Sequence, residues 1–243
     1  MSKFAVIIVA AGKSTRFGGA YKKPFAPLAG RAVWLHSAER FMNRDDVARV
    51  IVVVSEEDRE EFNRKFGANV AILGLSVCNG GAERADSVAA GLALVEDADF
   101  VAIHDAARPC VTDKEIDRLF AKVKETGAGL LATPVASTLK RATGEQTVEE
   151  TVPRQGLWAA QTPQAFRRDW LEAAYQQPER SQATDDAQLV EQLGHPVSLV
   201  EGSSLNLKIT TRADLKLAEQ IIKATPPPKP KGGNPFADDD LWR

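Results

Sequence analysis

Residues 4–24 read FAVIIVAAGKSTRFGGAYKKP, an apolar run followed by a loop rich in glycine and basic residues. The run is too short for a membrane-spanning helix, and its valines and isoleucines favour a buried β-strand. Small residues after a strand let backbone amides approach an anion closely, and open α/β sheets bind ligands at the carboxyl ends of their strands. The stretch therefore predicts a first strand followed by a triphosphate-binding loop, in which Arg16 and Lys23 supply positive charge.

Two better-known phosphate loops do not fit this stretch. Gly12, Lys13 and Ser14 look like the end of a P-loop, but that motif requires an earlier glycine at the position of Ile7. The dinucleotide-binding fingerprint also fails, because Ser14 occupies the place of its second glycine. A solvated turn with incidental basic residues is the alternative to a phosphate loop at this point.

Short runs rich in valine and isoleucine alternate with amphipathic stretches through residues 4–135. This alternation is typical of βα units around a mainly parallel sheet flanked by helices. Thr112 and Glu115 form a capping-box pattern that places the start of one helix. The predicted strands are 4–10, 49–55, 69–73, 100–105 and 129–135, and the predicted helices are 31–43, 56–66, 83–95 and 112–126.

The alternation ends after Val135. Residues 137–154 are polar and β-branched around Thr143-Gly144-Glu145, which predicts a protruding hairpin, the arm. An isolated two-stranded ribbon is rarely stable in water, so we expect the arm to pack against a second copy of the chain in a homodimer. The domain, residues 1–224, is completed by predicted helices at 167–176, 185–193 and 212–224 and predicted strands at 197–201 and 206–209. Residues 225–243 are Pro-rich and then acidic, and we expect a flexible tail.

Composition and charge limit the partners. A formal net charge of -2 over 243 residues gives no overall attraction for nucleic acid or an anionic membrane surface, so neither is expected as a partner. Cys78 and Cys110 lie far apart and outside any CxxC pattern, which argues against a zinc site or a disulfide framework. We therefore expect a cytoplasmic protein that handles phosphates through locally concentrated lysine and arginine.

Two further segments place polar residues at the ends of predicted elements. Asp105 and Arg108 follow a predicted strand, where Asp105 could hold Mg²⁺ or a ribose hydroxyl and Arg108 could bind a substrate phosphate. A structural Asp–Arg pair is the alternative, and His104 is expected to have a structural, hydrogen-bonded role. Residues 80–87 form a glycine-led helix start, whose amides suit a base or a phosphate but which is more often a capped turn.

These segments, together with Gln161-Thr162-Pro163-Gln164, resemble one family, the 2-C-methyl-D-erythritol 4-phosphate cytidylyltransferases. The resemblance covers residues 4–224 in matching order, and IHDAARP at 103–109 is its most specific part. It implies a Rossmann-like nucleotidyltransferase fold and a homodimer joined by the arm. It also implies Mg²⁺-dependent transfer of CMP from CTP to methylerythritol phosphate, with release of pyrophosphate, in non-mevalonate isoprenoid biosynthesis.

The resemblance also implies the roles of individual residues. The catalytic residues would be Arg16, Lys23, Arg154 and Lys208, with Arg154 reaching across from the partner subunit. CTP would be bound by Ala10, Ala11, Gly12, Gly81, Ala82, Ser87, Asp105 and Ala106. The polyol phosphate would be bound by Asp105, Arg108, Thr138, Arg154, Thr162 and Lys208, and Mg²⁺ by Asp105.

This sequence departs from the family at three places, one of which is the Pro-rich tail, which has no counterpart in the family. Lys22, Lys23 and Pro24 stand where the family usually has Pro-Lys-Gln, and Ala82 stands where it often has an aspartate. The spacing from Arg16 favours Lys23 as the catalytic lysine, with Lys22 as the alternative. The alternative functions are a sister enzyme acting on ribitol 5-phosphate, a sugar-1-phosphate nucleotidyltransferase, which residues 105–108 fit less well, and a non-catalytic nucleotide-binding regulator.

Overall fold

A central twisted sheet organises the chain, for which a computed structural model describes residues 2–12, 14, 17, 22–177 and 183–225. Neighbouring strands are parallel except at β10, which runs antiparallel to both of its neighbours. In spatial order the strands are β11 (Ser198–Glu201), β7 (Ala128–Pro134), β10 (Trp158–Arg167), β6 (Phe100–Asp105), β1 (Phe4–Val9), β4 (Val47–Val54) and β5 (Ser76–Asn79). The prediction of a mainly parallel sheet is confirmed.

Helices cover both faces of this sheet. They are α1 (Val33–Met42), α2 (Arg59–Ile72), α3 (Arg84–Leu92), α4 (Asp113–Thr126), α5 (Arg168–Tyr175), α6 (Asp186–Gln192) and α7 (Arg212–Ala224). Along β1, Val6 and Ile8 pack in the cluster that includes α1 and α4, whereas Ala5 and Ile7 pack in the cluster that includes α3, α5 and α6. Alternate side chains of a strand point to opposite faces, so a strand covered on both faces reads as one continuous apolar run.

The predicted start of α4 is confirmed in detail. Thr112 is its N-cap, the Thr112 hydroxyl accepts from the Glu115 amide, and the Glu115 carboxylate accepts from the Thr112 amide. The helix ends at Gly127, whose φ of 89° lies in the left-handed region that glycine adopts without strain. Both ends of this helix are therefore set by local sequence.

The predicted arm is also present. Strands β8 (Leu139–Ala142) and β9 (Val148–Val152) pair antiparallel as a separate two-stranded sheet. The turn between them is closed by the Thr143 amide, which donates to the Thr147 carbonyl. Most of the arm's residues are exposed. A second short hairpin, β2 (Pro27–Leu28) and β3 (Arg31–Ala32), precedes α1.

The predicted strand at 69–73 is wrong. These residues form the last turn of α2 and the residue after it, and Ile72 is 83% exposed on the helix surface. The chain then turns at Gly74, which has a φ of 62°, and the strand follows at Ser76–Asn79. An apolar run this short does not distinguish a helix end from a strand by itself.

On the far side of the sheet, one strand was missed and one predicted strand is not formed. Strand β10 was not predicted, because Gln161, Thr162 and Pro163 interrupt its apolar pattern. The predicted strand at 206–209 has no ladder partner in the described part of the chain, although the Ile209 amide donates to the Ala107 carbonyl. Residues 206–209 therefore lie beside the loop after β6, to which the Ile209 amide is hydrogen-bonded.

Parts of the prediction fall outside the described residues: Arg16 and, apart from Thr225, the predicted tail. Among the residues that are described, no helix combines the length and apolar character needed to cross a bilayer.

Candidate active site

A cleft of about 330 Å³ opens at the carboxyl ends of β1 and β6. This is the edge of the sheet at which open α/β folds bind ligands. Eight of the residues predicted to form the site line it: Ala11, Gly12, Lys23, Gly81, Ala82, Ser87, Asp105 and Lys208. The remaining lining residues are Val9, Pro24, Glu83, Arg84 and Ala107.

The described ends of the loop after β1, Ala11 and Gly12 on one side and Lys23 and Pro24 on the other, line one part of the cleft. The Ala10 amide donates to the Val53 carbonyl, so Ala10 continues the ladder and is buried below the cleft, without lining it. Ser14 has a φ of 55°, and its hydroxyl accepts from the Lys23 amide at 3.1 Å. This hydrogen bond joins the beginning of the loop to its end and holds the backbone of Lys23 beside the cleft.

Lys22 and Lys23 lie in different surroundings. Lys23 lines the cleft, whereas the Lys22 ammonium is 2.8 Å from a carboxylate oxygen of Asp58 and 3.5 Å from one of Glu57. Partial burial lowers the pKa of Lys22, but the hydrogen bond and charge of Asp58, with Glu57, outweigh it, so the net pKa is raised. Of the two lysines, Lys23 is therefore the one that faces the cleft.

The glycine-led helix start forms the opposite wall. A Cβ atom at Gly80 would lie 2.7 Å from the Ala11 Cβ and 2.6 Å from the Ser87 hydroxyl, so only glycine lets the two loops approach this closely. Glu83 and Asp86 form a capping box at the start of α3. The Ser87 hydroxyl donates to the Glu83 carbonyl and is buried at the edge of the cleft. The N-terminus of α3 thus faces the loop after β1.

Asp105 is a buried carboxylate at the floor of the cleft. One of its oxygens is 2.6 Å from the Lys208 ammonium, and the other is 3.6 Å from the Arg84 guanidinium. Burial would raise the pKa of Asp105, but the charge and hydrogen bond of Lys208, with the charges of Arg84 and Arg108, together outweigh it and hold the pKa well below its ordinary value. Its contribution to stability is therefore present above that ordinary value and is lost as the pH falls below it.

Arg84 is a site residue that sequence reasoning did not single out. It lines the cleft and makes two hydrogen bonds to Asp186, of 3.0 and 2.7 Å, while Tyr175 donates a further one to the same carboxylate. Burial lowers the pKa of Arg84, but the charge and hydrogen bonds of Asp186, with Asp105 and Tyr175, together outweigh it, so the net pKa is raised. The only sequence signal was its place at a glycine-led helix start, because Asp186 is 102 residues away.

A hydrogen-bonded network below the cleft fixes the backbone of Asp105. The Thr162 hydroxyl accepts from the Asp105 amide at 3.0 Å and lies 3.2 Å from His104 Nδ1. His104 Nε2 is 3.1 Å from the Arg108 carbonyl, which can only accept, so Nε2 carries the proton and Nδ1 accepts from Thr162. Burial lowers the pKa of His104 to about 4 and keeps the ring neutral near pH 7.

Arg108 lies next to the cleft without being among its lining residues. Its Nη1 donates to the Asn206 carbonyl at 2.8 Å, and its buried Nε has no hydrogen-bond partner among the described residues. Burial lowers the pKa of Arg108, and Asp105 offsets this only in part. A buried donor left unsatisfied is costly, so this guanidinium is suited to an incoming anion.

The remaining predicted site residues do not line the cleft. Ala106 is fully buried in the core, and Thr162 is buried in the network under Asp105. Thr138 and Arg154 lie at the two ends of the arm, are exposed, and do not line the cleft of their own chain. The structure therefore brings six of the eight predicted CTP residues to the cleft, all but Ala10 and Ala106, and leaves the arm residues apart from them.

Comparison with known proteins agrees with this geometry. The family model described as IspD, 2-C-methyl-D-erythritol 4-phosphate cytidylyltransferase, matches residues 4–224. The chain belongs to this family. It is therefore a cytidylyltransferase, a member of the nucleotidyltransferase class of enzymes.

Individual IspD proteins resemble the chain along nearly its whole length. The 2-C-methyl-D-erythritol 4-phosphate cytidylyltransferase of Rhodopirellula baltica is 45% identical over 90% of this chain and 94% of its own. That of Bacillus velezensis is 42% identical over 91% of this chain and 97% of its own. The crystal structure of the Thermus thermophilus enzyme superposes with a TM-score of 0.74 and 33% identity, covering 92% of this chain and 100% of that one.

Proposed function

We propose that this IspD chain transfers CMP from CTP to 2-C-methyl-D-erythritol 4-phosphate, giving 4-diphosphocytidyl-2-C-methyl-D-erythritol and pyrophosphate in isoprenoid biosynthesis. The observation that carries the proposal is the cleft in which Gly12 and Lys23 face the glycine-led start of α3 and Asp105. The match of residues 4–224 to the IspD family supports it and favours methylerythritol phosphate over ribitol 5-phosphate.

The reaction needs positioning and charge more than a protein nucleophile. A phosphate oxygen of the polyol phosphate attacks the α-phosphorus of CTP, a new P–O bond forms, and the bond to the leaving pyrophosphate breaks. A phosphate dianion is already nucleophilic at pH 7, so no general base is required. The His104 ring points its two nitrogens at the Arg108 carbonyl and Thr162, which agrees with a structural role.

Lys23 is proposed to stabilise the transition state. Its place at the cleft wall suits an ammonium that meets the nonbridging oxygens of the α-phosphate as their charge increases. Arg16, which lies outside the described residues, is proposed to act with it. In phosphoryl transfer such preorganised cations supply most of the catalysis.

Mg²⁺ is proposed as the cofactor. Whether the side chains of the cleft suit this ion can be judged from their chemistry. No group of three or more histidine, cysteine or acidic side chains is arranged for a metal in the described part of the chain. Asp105 offers one carboxylate, which fits a Mg²⁺ that takes most of its ligands from phosphates and water. Asp105 would be the residue that holds the ion, and the ion would supply neutralisation of phosphate charge.

The polyol phosphate is proposed to bind beside Asp105. Lys208 already lies against that carboxylate, Arg108 has a buried donor without a partner among the described residues, and Thr162 lies under the same backbone. Thr138 and Arg154 are proposed to reach this pocket from the arm of a second subunit, which would explain why they lie apart from the cleft of their own chain.

The decisive assay is pyrophosphate release measured with CTP, UTP, ATP and GTP, each paired with methylerythritol phosphate and with ribitol 5-phosphate. We expect turnover only with CTP and methylerythritol phosphate. Faster turnover with ribitol 5-phosphate would assign the chain to the sister reaction. Mg²⁺-dependent binding of CTP without turnover of either acceptor would contradict an enzymatic role.

A further inference from the structure

Lys22 is a basic residue of the loop after β1 that the proposed mechanism does not use. Its side chain is 31% exposed and its partner Asp58 only 11% exposed, at an Nζ to oxygen distance of 2.8 Å. Surface pairs of this protein differ: in Lys122–Glu125 the side chains are 40% and 69% exposed. The Lys22–Asp58 pair is therefore more enclosed than an ordinary surface ion pair. Exposed ion pairs contribute little to stability.

Asp58 is itself fixed to the end of a core strand. Ser55 directly follows β4, its hydroxyl donates to the Asp58 carboxylate at 2.5 Å, and its carbonyl accepts from the Asp58 amide at 3.0 Å. β4 pairs with β1 through six register positions, so the strand that carries Ser55 is built into the sheet beside the start of the loop. Lys22 thus pairs with a carboxylate that is itself hydrogen-bonded to the residue at the end of a core strand.

The turn that carries Lys23 begins at Lys22. The Lys22 carbonyl accepts from the Phe25 amide at 3.0 Å and closes a 3-10 turn over Lys23–Phe25. On the far side of the turn, the Phe25 ring lies 5.8 Å from Phe62 and 6.1 Å from Phe66, both on α2. Lys23 is therefore held between an ionic attachment on one side and an aromatic one on the other.

We infer that the Lys22–Asp58 pair is a positioning device that holds Lys23 at the cleft, and that Lys22 does not act on the phosphates itself. This inference rests on the proposed role of Lys23. A cation that stabilises a transition state must be held close to its productive geometry, since a displacement of about 1 Å can cost about a hundredfold in rate. Releasing Lys22 removes one of the contacts that hold the turn and leaves the Lys23–Ser14 hydrogen bond and the packing of Phe25 in place, so the expected loss is in turnover and not in CTP binding.

The test compares Lys22→Met, Asp58→Asn and the double variant by kcat and by the dissociation constant of CTP. Each single variant should lower kcat by about tenfold to a hundredfold while CTP binding stays within about threefold of wild type, and the double variant should be no worse than either single one. Lys22→Arg, which keeps the charge, should recover most of the turnover. Lys22→Met retains the Ser55–Asp58 hydrogen bonds, so it keeps the test valid if Asp58→Asn folds poorly.

Two results would overturn the inference. One is normal turnover in Lys22→Met. The other is a loss in Lys22→Met with none when Asp58→Asn is combined with Glu57→Gln, which removes both acidic partners of Lys22, because that pattern belongs to a lysine acting directly on substrate. Lys122→Met, which removes the ion pair to Glu125 on α4, is the matched control and should leave kcat unchanged.

The same substitutions in a Lys23→Ala background separate this inference from the proposed function. With Lys23 absent there is nothing left to position, so adding Lys22→Met should lower kcat no further. A full additional loss would overturn the positioning role while leaving the role of Lys23 intact. Normal turnover in Lys23→Ala alone would contradict the proposed function itself.

Discussion

The cleft and the arm use charged residues in opposite ways. At the cleft, Asp105 is 8% exposed and contacts Lys208 and Arg84, and Arg84 contacts the fully buried Asp186. On the arm, Arg141 and Glu150 pair across the two strands at 2.6 Å, but their side chains are 59% and 54% exposed. The carboxylates of the cleft are therefore desolvated and paired with partly exposed cations, whereas both members of the arm pair are solvated.

This difference predicts which charged residues affect catalysis and which contribute little when they are substituted. Charges in a desolvated cleft interact strongly with each other and with an incoming phosphate, whereas an exposed pair is weakened by water and salt. Residues of the cleft should therefore change catalysis and binding when they are substituted. Residues of the arm should matter only where they meet a second subunit, and the comparison can be tested by four substitutions.

The largest effect is expected for Lys23→Ala. Removal of one preorganised cationic donor should lower kcat by about a hundredfold to a thousandfold, with a much smaller change in the dissociation constant of CTP. Steady-state pyrophosphate release and equilibrium CTP binding measure the two quantities. If CTP binding fell as much as kcat, Lys23 would serve ground-state binding and not the transition state.

Burial of the network below the cleft predicts a pH effect on stability. The pKa of His104 is about 4 in the folded chain, against an ordinary value of 6.5, so the unfolded chain binds an extra proton between these values. The free energy of unfolding should therefore fall as the pH is lowered from 6.5 toward 4, by about 2 to 3 kcal/mol at pH 4.5.

Urea unfolding of wild type and of His104→Gln at pH 7 and pH 4.5 measures this contribution. The substitution removes the titrating group, so the stability difference between the two proteins should shrink at the lower pH. Parallel losses in both proteins would show that His104 is not held neutral by the fold.

Arg154→Ala tests whether the arm completes a neighbouring site. Loss of hydrogen bonds to a charged phosphate should raise KM for the polyol phosphate by about tenfold to a hundredfold with a small change in kcat. In a dimer, mixing Arg154→Ala subunits with Lys23→Ala subunits should restore activity, because one of the two sites in each mixed dimer then has both residues. No recovery on mixing would argue against a site shared between subunits.

The smallest effect is expected for Arg141→Ala on the same arm. The pair with Glu150 is exposed, so its loss should change the free energy of unfolding by at most about 1 kcal/mol and leave KM unchanged. Chemical unfolding and the pyrophosphate assay check this. A rise in KM like that of Arg154→Ala would mean that the whole arm surface, and not one arginine, forms the neighbouring site.

Sequence reasoning predicted the cleft better than the sheet around it. The apolar run from Phe4 specifies a strand, and the glycines at 80 and 81 specify the turn before a helix. Such local conformations decide which loops meet at the edge of the sheet. Strand β10 was missed because Pro163 cannot donate to a ladder and ordinarily argues against a central strand. In the structure, pairing of β10 with β7 passes directly from Ala160 to Gln164, so Pro163 lies where no ladder hydrogen bond is needed.

Long-range partners were the part that sequence could not supply. Arg84 follows a recognisable helix start, but its bond to Asp186 depends on how α3 and α6 pack on one face of the sheet. Lys22 and Lys23 are adjacent and chemically alike, and only the position of Asp58 distinguishes them. The dimer, Mg²⁺ and the role of Arg16 stay predictions.

A crystal structure with CTP and Mg²⁺ would show whether the cleft holds the triphosphate and whether Lys23 meets it. We predict the triphosphate between Gly12 and the start of α3, with the Lys23 ammonium within about 3 Å of a nonbridging phosphate oxygen. Lys22 should still contact Asp58 in that complex. A nucleotide bound elsewhere, or Lys23 directed away from its phosphates, would refute the proposed role of the cleft.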